Sequence, residues 1–284
     1  MSHADAAHPK GHLNVLLRLS LAASLLTAPA AHALETATVD LSFGSLIGDP
    51  GTFSSARLES ETAFDLGAWG VQLGATLSSL TETDQNSARI LVWREAGDRF
   101  RFGLSTSQTS YDGAETNTRG LAFHILWTAP GAHIDASIQT PDHIVSTGAF
   151  TYDISGEQQI TSRLAVTTDL YRLTTDEEFD DFWSIALGLR YDIGDRLTLT
   201  GAGIRSTADD YKFDNRMARL GAEWNLSPAL TVSATLLHIV TADDGNQTGL
   251  ELALRRDFGA APDRDRLFDP GPLTDRFIIG AFAP

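Results

Sequence analysis

Apolar and polar residues alternate along this chain with a period of two. In FWSIALGLRYDIGDRLTLTGAGIR, residues 182 to 205, the apolar set is Trp183, Ile185, Leu187, Leu189, Tyr191 and Ile193. Ser184, Ala186, Gly188, Arg190 and Asp192 stand between them, and after Gly194 and Asp195 the alternation resumes with Leu197 and Leu199. Side chains of a strand point to opposite faces in turn, so this reads as two strands joined by a tight turn. The pattern recurs with Trp69, Val71, Leu73, Ala75 and Leu77, with Phe100, Phe102 and Leu104, and with Leu121, Phe123, Ile125 and Trp127. It recurs again with Ile160, Leu164, Val166 and Leu170, with Leu220, Ala222, Trp224 and Leu226, and with Leu250, Leu252, Leu254 and Phe258. No segment after residue 33 has convincing helical spacing.

Two kinds of connector separate these runs. One kind is short and carries Gly or Pro: Gly67-Ala68, Ala96-Gly97-Asp98, Ala129-Pro130-Gly131, Ser155-Gly156-Glu157, Ile193-Gly194-Asp195 and Leu226-Ser227-Pro228-Ala229. The other kind alternates with it, is longer and is acidic, as in LTETDQN, YDGAETN, TTDEEFDD, TADDYKFD and TADDGNQ. A short turn roughly every 30 residues spaces out hairpins of strands of about 10 residues. The expected fold is therefore all-β, with about 14 strands (12 to 16) running from 37–47 to 248–258.

The apolar face could cover a dry core or meet lipid. Short turns on one side and long loops on the other favour an antiparallel up-and-down transmembrane barrel. So do the aromatics at strand ends, Trp69, Phe100, Trp127, Tyr191, Trp224 and Phe258, which are placed as an interfacial girdle would be. Full charges interrupt the opposite face at mid-strand, and a closed meander leaves no open edge.

Composition agrees with export. Residues 1–33 read as a secretory signal peptide: Lys10 and Arg18, an apolar stretch from Leu19 to Leu26, then Ala31-His32-Ala33, with the mature chain expected to begin at Leu34. The organisation expected is thus signal 1–33, barrel 34–258 and a tail 259–284 that is periplasmic or tucked into the lumen. There is no cysteine, so no disulfide framework supports the fold. The formal net charge of -16 argues against nucleic acid as a partner.

The hairpins LRYDIGDRLTLTGAG and AEWNLSPALTVSATLL, and the last strand GLELALRRDF, resemble those of Gram-negative outer-membrane porins, in particular porin-like barrels of alphaproteobacteria. The resemblance spans roughly residues 35 to 258 and implies a multi-pass protein of the outer membrane. It departs from the general porins, which have 16 or 18 strands and a long third loop folded into the pore. Their last residue is usually an aromatic; here Phe258 fits that role but 26 residues follow. A rival closing strand is RFIIGAF, ending near Phe282, although Pro284 is a poor end to a strand.

As a porin the chain would pass small hydrophilic solutes and ions by diffusion. Parity points Arg57, Arg101, Arg163, Arg190, Arg219, Glu223, Glu251 and Arg255 into the lumen, together with Glu59, Glu61, Asp135, Asp153, Asp169 and Asp257. These charges either line a path or pair across strands and stiffen the wall. The long loops put Asp176, Glu177, Glu178, Asp209, Asp210, Asp243 and Asp244 on an external acidic rim whose only base is Lys212, and such a rim concentrates cations. DEEFDD matches no defined Ca²⁺ loop, so no metal and no cofactor is called for. The partners expected are outer-membrane lipid, small solutes and cations, and the pattern leaves room for a homo-oligomer. A non-conducting structural or adhesion barrel is the alternative. An outer-membrane hydrolase is a weaker one, because His124, His133, His143 and His238 have no nucleophile-elbow serine and no H-E-x-x-H beside them.

Overall fold

The structure, a computed structural model, describes residues 34–48, 52–80, 83–111, 118–142, 150–174, 181–208, 214–241 and 245–259. They form β1 (Leu34–Gly48), β2 (Thr52–Asp65), β3 (Trp69–Leu80), β4 (Thr83–Ala96), β5 (Phe100–Tyr111), β6 (Thr118–Ala129) and β7 (Ala132–Asp142). The second half holds β8 (Phe150–Gln159), β9 (Leu164–Thr174), β10 (Phe182–Ile193), β11 (Leu197–Ala208), β12 (Asp214–Ser227), β13 (Leu230–Thr241) and β14 (Gly245–Gly259). Each strand pairs with its neighbours in sequence, and β14 pairs antiparallel with β1, so the sheet is a closed fourteen-stranded barrel. No helix occurs among the described residues.

Closure pairs the last strand with the first. Phe258 lies opposite Ala37, Leu254 opposite Leu41 and Leu252 opposite Phe43. The closing strand is therefore the one ending at Phe258. The rival segment 276–282 lies outside the described residues, as do residues 1–33 and the tail from 260 onward.

The alternation sorts the two faces. Leu104, Leu121, Leu187, Leu220 and Leu250 are exposed, whereas Gln72, Ser105, Ser184 and Ser206, on the opposite parity, are buried. In a closed barrel the exposed apolar face is the outer one, which gives a lipid-facing band around a polar interior. The expected short turns that the structure keeps share one end of the barrel, hereafter the turn end. At the other, the loop end, LTETDQN and TADDGNQ are not the long loops expected, because β4 already begins at Thr83 and β14 at Gly245, while the connectors after Tyr111, Asp142, Thr174 and Ala208 are longer. Outward aromatics mark the turn end: Trp69, Phe100, Tyr191 and Trp224 are exposed there. Arg94 stacks over Trp69 at 5.4 Å and Arg256 over Phe258 at 5.1 Å, amphipathic contacts suited to a membrane–water boundary.

Gly67, Gly97, Gly131 and Gly194 take positive φ at four of the short turns, where a side chain would be strained. One expected turn is wrong. Ser155-Gly156-Glu157 lies inside β8, and the chain reverses at Ile160–Arg163 instead. There Thr161 Oγ1 accepts hydrogen bonds from the Arg163 and Leu164 amides at 3.2 and 3.0 Å, so a threonine hydroxyl does what glycine does elsewhere. Gly156 serves packing: a Cβ there would come within 3.1 Å of the His133 carbonyl oxygen. The shift takes Arg163 out of the wall; it is exposed in the turn and does not line the lumen as expected.

Candidate pore lining

The remaining expected lumen residues, Arg57, Arg101, Arg190, Arg219, Glu223, Glu251 and Arg255, all fall on the inner parity and are partly buried. Most of the arginines are engaged along the wall. Arg57 pairs with Glu59 at 2.9 Å and Arg101 with Glu95 at 2.9 Å. Arg255 lies 3.7 Å from Asp257 and donates to Thr231 at 3.4 Å. Two pairs span a whole strand. Arg89 reaches Glu61 at 3.4 Å across β3, and the residue between them in the row is Gly74, whose missing side chain clears the way. Arg190 reaches Glu157 at 2.9 Å across β9. Such partly buried pairs contribute about 0.2–1 kcal/mol each to the wall. Glu157 escapes the sequence reading because the misplaced turn removed it from its strand, whereas Arg89 falls inside the expected strand 88–95 and was not singled out there.

Charge is uneven around the wall. On β7, β8 and β9 the inner face carries Asp135, Asp153, Glu157 and Asp169 and no arginine or lysine. Asp135 and Asp169 flank Ser155 in one row, and Asp153 stands one inward position nearer the loop end. Glu157 is engaged by Arg190, and Asp135 and Asp169 are buried in the wall of the same three strands.

The inner face also has an apolar patch. Ala63, Leu91, Trp93 and Leu126 are buried together. The Trp93 indole lies flat across Gly70 of β3, where a Cβ would fall inside the ring. Arg101 sits 5.6 Å from that ring and ties it to Glu95. Beside this patch, Ser105 Oγ and the His124 ring, both buried, lie 2.8 Å apart and link β5 to β6. His238 points outward, as parity requires, and its Nδ1 lies 3.0 Å from Thr248 Oγ1. His143 lies outside the described residues. So does the whole acidic rim that was expected at Asp176, Glu177, Glu178, Asp209, Asp210, Asp243 and Asp244.

Solved structures share this architecture. The CymD monoaromatic hydrocarbon channel superposes with a TM-score of 0.57 at 10% identity, over 79% of this chain and 89% of its own. The Acinetobacter baumannii outer membrane protein Omp33 gives 0.57 at 11% identity, over 80% and 99%. An anion-selective porin from Comamonas acidovorans gives 0.53 at 11% identity, over 78% and 98%. The chain has the fold of outer-membrane channels. No family model and no curated protein matches the sequence. At these identities the likeness carries the fold alone. It leaves ion preference to the residues of this barrel, since a channel with the same architecture can be anion-selective.

Proposed function

We propose that this chain is a porin of the Gram-negative outer membrane, crossing it many times. It provides a passive path for small hydrophilic solutes and ions and prefers cations. The observation that carries the reading is the lining. A closed barrel with an apolar outer band has a polar inner wall, and its β7–β9 arc bears aspartates with no inward arginine or lysine. The reading is of a channel and not of an enzyme. Ser105 and His124, the described pair that most resembles a nucleophile with its base, are both buried and join adjacent strands. The protein reconstituted into a planar bilayer should give discrete conductance steps, and a salt gradient should give a reversal potential of cation-preferring sign.

A second reading has its own support. Leu91, Leu126 and Gln72 are fully buried on the inner face, so part of the interior is filled and not wetted. A structural barrel that does not conduct would show this too. Absence of conductance from protein that migrates as a folded barrel would favour it.

A further inference from the structure

The outer face changes character at the loop end of β9 to β13. Arg205 and Arg216 face outward on adjacent strands and are directly opposite one another. They are more than half exposed, at 53% and 67% of their side-chain area. Strands rise about 3.4 Å per residue and tilt about 40° in such barrels, so Arg205, eight residues above Leu197, stands about 20 Å up the wall, near the far edge of an apolar band about 25 Å tall. Arg172 adds a third outward guanidinium on β9, 2.6 Å from Asp181.

Two like charges facing each other across a strand pair destabilise it unless an anion lies between them. Asp214 supplies part of one. Its carboxylate accepts from Arg205 Nε at 3.0 Å and Nη2 at 3.2 Å, and from Arg216 Nη2 at 3.2 Å. One carboxylate cannot neutralise two guanidiniums. Each guanidinium carries five N–H donors, so several remain directed away from Asp214. Among the described residues, Asp214 therefore holds two cations in register and leaves one positive charge and a fan of donors to the membrane boundary.

Directly beneath lies a notch. The next outward pair is Gly203 and Ala218, flanked in the same row by Leu187 on β10 and His238 on β13. A Cβ built at Gly203 meets nothing within 4 Å, so the floor is open. Leu187 and Leu220 stand out around it at 58% and 66% exposure. Donors at the boundary above an apolar notch match a molecule with an anionic head and a hydrocarbon chain. We propose that Arg205 and Arg216 hold the phosphate of an outer-leaflet lipid whose chain begins in the notch over Gly203 and Ala218. This rests on the reading of the barrel as an outer-membrane protein with its loop end outside.

The test uses the full-length protein in detergent, with native mass spectrometry to measure retention of bis-phosphorylated lipid A and of the same lipid after removal of its phosphates. The unaltered protein should retain the phosphorylated form at least about ten-fold better, since charge-assisted hydrogen bonds to phosphate are worth that much or more. R205Q/R216Q should abolish this preference, and R94Q, at the turn end, should keep it. Gly203→Leu fills the notch without touching a charge and should weaken retention of both forms. Heat-modifiable migration reports that each variant is folded, and G203L decides the matter if the double variant does not fold. Equal retention of the two lipids would overturn the proposal. So would a preference that survives R205Q/R216Q, unchanged binding by G203L, or displacement of the lipid by equimolar inorganic phosphate, which would mark a free-anion site. Conductance of the unaltered protein is a separate readout: its absence sinks the porin reading and leaves this test standing.

Discussion

Gly70 shows how one position can depend on another that the sequence does not place beside it. It lies directly opposite Trp93 in the β3–β4 register, and the indole occupies the volume a Cβ would need. This inward tryptophan lies against the glycine, and the Arg101 guanidinium stands 5.6 Å from its ring. Gly70→Ala must displace the indole, an overpacking that costs about 1–3 kcal/mol. The midpoint of barrel unfolding in urea, followed by loss of heat-modifiable migration, should fall accordingly. Trp93→Ala is destabilising in its own right by about 3–5 kcal/mol because it empties a buried site. In that background, though, Gly70→Ala has nothing left to displace and should be nearly silent, and additive effects of the two substitutions would show that they do not share this contact. Period-two reading assigns Trp93 its face but cannot say what it rests on. That depends on which strand lies alongside and in what register, and register is a property of the closed sheet.

At the scale of strands and turns most of the architecture was legible, because the barrel repeats one rule. The fourteen strands and the closing pair follow from alternation and hairpin spacing. One exception is at the loop end, where LTETDQN and TADDGNQ read as loops but are largely β4 and β14; another is the β8–β9 turn, where glycine misled. Gly156 reads as a turn residue but serves packing, and the real turn is built by Thr161. Thr161→Ala removes both hydroxyl contacts and should lower stability by about 0.5–1.5 kcal/mol in the same urea assay. Gly156→Ala should also cost stability, but by crowding the His133 carbonyl and not by straining a turn. Gly194, with φ of 65°, is a true turn glycine, and Gly194→Ala should cost about 1–2 kcal/mol. Closure gives a further expectation. Because Phe258 already pairs opposite Ala37 and carries Arg256 on its ring, a chain ended after Gly259 has every strand it needs. It should still assemble into a heat-modifiable barrel, whereas Phe258→Ala should reduce the assembled fraction. Failure of the shortened chain to assemble would mean that the segment beyond 259 does more than follow the barrel.

For the whole molecule the question is which charges set the ion preference, and here the sequence was only partly legible. Parity named most of the inward arginines but missed Arg89, and it cannot show that Arg89 and Arg190 reach over a strand to Glu61 and Glu157. Those links show that much of the lining's positive charge is engaged along the wall, while the inner face of β7–β9 carries acids and no arginine or lysine. Two sources of cation preference can then be separated, the inner arc of Asp135, Asp153 and Asp169 and the loop acids at Asp176, Glu177 and Glu178. A unit charge about 10 Å from a passing ion in water is worth about 0.4 kcal/mol, a factor of about 2 in local concentration. Converting the three aspartates of the arc to asparagine keeps their shape and should lower the cation-to-anion permeability ratio several-fold. Salt distinguishes the sources further, because the screening length is about 10 Å at 0.1 M but about 3 Å at 1 M. Charges on the loops act over distance and should lose their influence as salt rises. Charges in the wall act on ions forced past them and should keep more of theirs. Reversal potentials of the unaltered protein, the arc variant and a D176N/E177Q/E178Q variant, taken at both salt concentrations, decide between them. If the arc governs, its variant alone loses the preference that persists at 1 M. If only the loop variant changes the ratio, and only at low salt, the inner aspartates are wall structure and selectivity belongs to the mouth.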